Sequence, residues 1–110
     1  MDDAKKLLRN WRQSLPKDGV KCEDLSKVVK FLGMTWDGPR SSGHYHAIHD
    51  DLKGSVKFPL GFVLINCHAF GVQGKAHPRA VRDIMQAEKI IEAARQKKQQ
   101  DNEDNTEQDS

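Results

Sequence analysis

Residues 42–49 read Ser-Gly-His-Tyr-His-Ala-Ile-His, and all five histidines of the chain fall between His44 and His77. An imidazole with its ordinary pKa of about 6.5 can take or give a proton near neutral pH, and its neutral form is a common metal ligand. His44, His46 and His49 crowd six positions beside a glycine and two serines. The stretch therefore invites either proton transfer or metal binding. For zinc, His44 and His46 would need a further donor from Cys67 or His68. Those two are neighbours that point to opposite sides of an extended chain, so only one could join. The CxxC and HxxxH spacings of common metal sites are missing. Proton transfer without metal or cofactor is the first reading, and a zinc-stabilised interaction domain is a competing one.

The elements that must hold these residues follow from hydrophobic period. Leu7, Leu8 and Trp11 recur at helical spacing, and Pro16 ends a first helix over residues 3–14. Leu25, Val28, Val29 and Leu32 form an i, i+3, i+4, i+7 stripe, which predicts a helix over 22–32 with Gly33 as its C-cap. Asp37-Gly38-Pro39 marks 36–42 as a loop. Three short extended pieces follow, at 44–49, 55–58 and 62–67, with Asp50-Asp51-Leu52-Lys53 as a turn. The run Phe62-Val63-Leu64-Ile65 reads as core. Residues 69–76 read as a loop, and a last helix opens near His77 with Pro78 in its first turn. Side chains i and i+2 of a strand share a face, so His44 and His46 project together and His49 points away. Tyr45 faces opposite to His44 and packs. Trp36 fits either a buried anchor or a ring that stacks on a base.

Composition bounds the rest. Of 110 residues, 36% are hydrophobic and 31% charged, which suits one modest domain with a small core. From Arg95 onward there is no aliphatic or aromatic side chain, which predicts a disordered tail past a fraying helix end. That tail is acidic, so the body is more basic than the net charge of +2, as suits a weak nucleic-acid binder and many inert domains alike. Cys22 and Cys67 lie far apart, and two reduced thiols in a cytoplasmic protein is the simplest account. No apolar run approaches a membrane span, and the N-terminal residues lack the apolar segment of a signal peptide.

The order of short motifs resembles the HicA (YcfA-like) toxins. Glu23-Asp24-Leu25 through Leu32-Gly33-Met34-Thr35 looks like the family's helix and its Leu-Gly step, which a short strand and loop follow. Ser42-Gly43-His44 stands where that family has Gly-Ser-His. Ile65-Asn66-Cys67-His68 looks like the later strand end, Gly74-Lys75 the loop, and Val81-Arg82-Asp83-Ile84 the final helix. The resemblance covers about residues 22–90. Three departures stand beside it: the small residues before His44 are swapped, residues 52–61 are longer than usual, and a helix and an acidic tail flank the family's length.

The resemblance implies an α+β fold, a small three-stranded antiparallel sheet flanked by helices. That is a double-stranded-RNA-binding-domain-like α-β-β-β-α order with an extra N-terminal helix. It divides the chain into an extension at 1–20, a HicA-like domain at 21–94 and the tail at 95–110. It also implies metal-independent cleavage of mRNA and neutralisation by a HicB-type antitoxin. Such a ribonuclease needs a base for the 2′-OH proton, an acid for the leaving 5′-oxygen and positive charge for the transition state. His44 matches the family's histidine and is the candidate base. His46 and His68 are candidate proton donors, Gly43 lets an RNA backbone approach, and Lys75, Arg79 and Arg82 are candidates for phosphate. His49 and His77 read as bystanders, His77 as a helix cap. A non-catalytic RNA-binding module on the same fold is the alternative, and Arg79 and Arg82 equally suit a solvated helix face.

Overall fold

The computed structural model describes residues 2–40 and 43–109. Three helices pack with a three-stranded antiparallel sheet and a two-stranded ribbon. Helix α1 spans Asp2–Gln13 and helix α2 spans Cys22–Phe31. Strands β1 (Val20–Lys21), β2 (Thr35–Asp37), β3 (His44–Ile48), β4 (Phe62–Asn66) and β5 (Lys75–Ala76) follow in chain order around them, and α3 spans Pro78–Asp109. The main sheet has the order β2-β3-β4, and β1 pairs with β5.

Helix α2 ends where its stripe does. Gly33 takes a φ of +84°, its N–H donates to the Lys30 carbonyl, and the Met34 N–H donates to the Val29 carbonyl. This paired closure satisfies the orphan carbonyls of the last turn and needs a left-handed residue, which glycine supplies without a Cβ clash. It throws Met34 into the core and starts β2 at Thr35. The loop expected at 36–42 thus begins with a strand, whose Trp36 stacks on Tyr45 with centroids 4.8 Å apart.

Residues 55–58 are not a strand. Their backbone closes on itself: the Ser55 N–H donates to Leu52, Ser55 Oγ accepts from the Phe58 N–H, and the Gly61 N–H donates to Phe58. Those bonds use up groups that a ladder would need. The turn expected at 50–53 is a 3-10 turn, Asp50–Leu52.

The core joins Leu25, Val28 and Val29 of α2, Ala47, Val63 and Ile65 of the sheet, and Val81, Ile84 and Ala87 of α3. Leu64 departs from the expected core run: it is 56% exposed between buried Val63 and Ile65. The sheet is covered on one face, so the apolar run alternates in and out. Ala4, Leu8 and Trp11 of α1 enter the same core, against α2. The N-terminal extension is therefore part of one packed body and does not cover the open sheet face. The backbone from Arg95 is helical through Asp109, where the sequence predicts a disordered tail. No glycine or proline interrupts it, and its Gln, Lys and Glu are good helix formers.

The cysteines overturn the expectation of two thiols. Cys22 and Cys67 form a disulfide with Cα atoms 5.9 Å apart, both side chains buried. Among the described residues, no helix is long and apolar enough to cross a membrane.

Candidate functional site

Strand register decides which histidines meet. His44 stands opposite Asn66, His46 opposite Leu64 and also opposite Asp37, while Tyr45 stands opposite buried Ile65. His44 and His46 therefore share the uncovered face, and Tyr45 packs on the core side. Two residues of antiparallel strand separate their Cα atoms by about 7 Å. His46 lies flat against Phe62, with ring centroids 4.0 Å apart and planes 10° off parallel.

His68 follows the end of β4 and lies beside Gly43. The Cys67 N–H donates to the Gly43 carbonyl at 2.9 Å, and a Cβ on Gly43 would lie 3.8 Å from that of His68. Gly43 has a φ of +75°, so glycine is needed there for backbone conformation more than for space. Ser42 lies outside the described residues, so its exchange with Gly43 has no structural reading.

Lys75 and Gly74 are stitched to the same region. The Gly74 N–H donates to the Cys67 carbonyl at 2.7 Å, and the Gly74 carbonyl accepts from the Cys22 N–H at 2.8 Å. The disulfide thus locks the start of α2, the end of β4 and this loop at one point. Beyond the edge of β4 lies a groove of about 340 Å³, lined in part by Leu64, Asn66, Phe70, His77, Arg79 and Asp83. Arg79 therefore reaches the site's border. Arg82 is exposed on α3 and does not line the groove.

The other two histidines each cap a turn through Nδ1. His77 Nδ1 accepts the Arg79 N–H at 3.0 Å, which caps the start of α3. His49 Nδ1 accepts the Asp51 N–H at 3.0 Å and caps the 3-10 turn. Asp51 in turn pairs with Lys98 of α3. The hydrogen bond from that ammonium holds the Asp51 carboxyl below its ordinary pKa.

The zinc reading loses a donor, because the Cys67 sulfur is bonded to Cys22. Among the described residues, no three His, Cys, Asp or Glu side chains converge to hold a metal.

Three residues at the site escape reading from sequence. Asn66 Oδ1 accepts the His68 N–H at 2.9 Å, so its amide N–H donors are left for other acceptors beside His44. The Arg40 N–H donates to the His44 carbonyl at 2.8 Å, and its guanidinium holds Asp37. Phe70 is exposed in the turn Ala69–Gly71. Strand alternation from His68 reaches Asn66, but no period marks Arg40 or Phe70. No protein-family model matches this chain, nor does any curated protein or solved structure, so its own geometry bears the functional reading.

Proposed function

We propose that the chain is a HicA-like endoribonuclease on a double-stranded-RNA-binding-like α-β-β-β-α frame, acting on mRNA and neutralised by a HicB-type antitoxin. One observation supports it above the rest: His44 and His46 project from one uncovered sheet face, with Asn66 opposite His44 and a cation-bearing groove next to it.

In this reading neutral His44 takes the ribose 2′-OH proton. The 2′-oxygen attacks the adjacent phosphorus and the bond to the 5′-oxygen breaks. His46 or His68 gives a proton to that leaving oxygen. The Asn66 amide, Arg79 and Lys75 supply donors and positive charge for the phosphorane-like transition state. The products are a 2′,3′-cyclic phosphate and a 5′-hydroxyl. Such an enzyme works where mRNA is, in the cytoplasm, and the burial of Cys22 and Cys67 limits access of cellular thiols to their bond.

The test is incubation of the purified chain with single-stranded RNA in excess chelator, with product ends analysed. Cyclic phosphate ends support the reading. Intact RNA, or cleavage only with added metal, opposes it. The groove itself favours the second reading, a binding module without chemistry, and RNA bound tightly yet left intact would select that.

A further inference from the structure

The proposed chemistry draws Asn66 and Arg79 from the groove beyond β4, and the groove also carries a feature that folding does not explain. Phe70 has a φ of +58°, the one positive value at a non-glycine among the described residues. A side chain in the left-handed region costs about 1–2 kcal/mol. Burial offsets little of this, since the residue remains 59% exposed. A strained, exposed aromatic is a mark of a binding surface.

Its neighbours fit that role. The His77 ring stacks on it with centroids 5.3 Å apart and planes 27° off parallel. His77 is itself held by the Arg79 N–H. The Lys75 ammonium stands 5.6 Å from the Phe70 centroid. Arg79 and Asn66 line the same groove, and Asn66 is the cross-strand partner of His44. The acid in the lining, Asp83, is met by Lys57 at 3.8 Å. The groove's volume of about 340 Å³ falls in the range of small-ligand sites.

We infer that this groove is a nucleotide subsite for single-stranded RNA. An unstacked base lies against the Phe70–His77 pair, and the phosphodiester next to it, met by Arg79 and Lys75, runs across Asn66 toward His44. The inference rests on the RNA reading above and adds a base-binding subsite to it. A base inside a duplex is already stacked and cannot reach the ring, whereas a single strand offers its π faces.

The test measures affinity by fluorescence anisotropy, with the full chain carrying His44→Ala so that RNA stays intact. Three labelled ligands are compared: a single-stranded oligoribonucleotide, its duplex, and the same strand with abasic sugars. Adding Phe70→Ala should weaken the single strand roughly 5- to 150-fold and leave the other two nearly unchanged. Phe70→Trp should restore it. Equal single-strand affinity with and without the Phe70 ring overturns the subsite while the RNA reading stands. Equal loss on all three ligands with an unchanged melting temperature overturns it too, and failure of Phe70→Trp to restore single-strand binding does the same. Failure of the parent to bind any of the three sinks the RNA reading and the subsite with it.

Discussion

His44 and His46 share a face because one residue separates them on a strand, and that relation is legible from the sequence alone. What the sequence does not carry is the register that sets Asn66 beside His44 and brings His68 next to Gly43, because both depend on which distant segment pairs with β3. His46 has a ring stack with Phe62, so it has a packing role whatever its chemistry. His46→Phe keeps a flat ring there and removes the proton. If His46 is the acid, cleavage falls on the order of 100-fold with an unchanged melting temperature. Undiminished cleavage by that variant would confine His46 to packing and leave His68 as the donor.

At the scale of elements, the helices and the strands at 44–49 and 62–67 are legible in the sequence, and the third strand is not. The stripe Leu25, Val28, Val29, Leu32 with Gly33 behind it defines α2 because its closure is local in sequence. Gly33→Ala should cost about 1–2 kcal/mol by forcing a Cβ into the left-handed region, read from the denaturant midpoint. Thr35–Asp37 becomes a strand and 55–58 does not for a non-local reason: Trp36 finds Tyr45, while Ser55 and Phe58 satisfy each other. The disulfide is equally non-local, since spacing of 45 residues carries no sign of contact. Closing a loop of that length restricts the unfolded chain by about 4 kcal/mol in the chain-entropy account. Reduction with dithiothreitol should therefore lower the denaturant midpoint strongly, and the Cys22→Ser, Cys67→Ser double variant should match the reduced parent and ignore the reductant. A second clamp joins α3 to the Asp50–Leu52 turn through Lys98 and Asp51. The Asp51 pKa is lowered in the folded state. Its contribution to stability is thus present above the unfolded value of about 3.9 and is lost as pH falls through the folded value. Between pH 5 and pH 3 the parent should lose more stability than Lys98→Ala does, as followed by urea unfolding.

For the whole molecule, one core unites α1, α2, the sheet and α3, and among the described residues one sheet face is left uncovered beside the groove. The charge balance foretold only a mildly basic body; the fold decides which cations reach that face. Arg79 does and Arg82 does not. If Arg79 contacts phosphate, Arg79→Ala should reduce the salt slope of single-stranded RNA affinity by about 0.7, and Arg82→Ala should leave it unchanged. Whether His44 is the base of an RNA-cleaving site is decided by RNA cleavage rates for the parent and His44→Ala, both purified and in excess chelator. The parent should cleave and the variant should lose roughly 100-fold or more, with its melting temperature and RNA affinity retained. Equal cleavage by the two proteins would remove His44 from the chemistry.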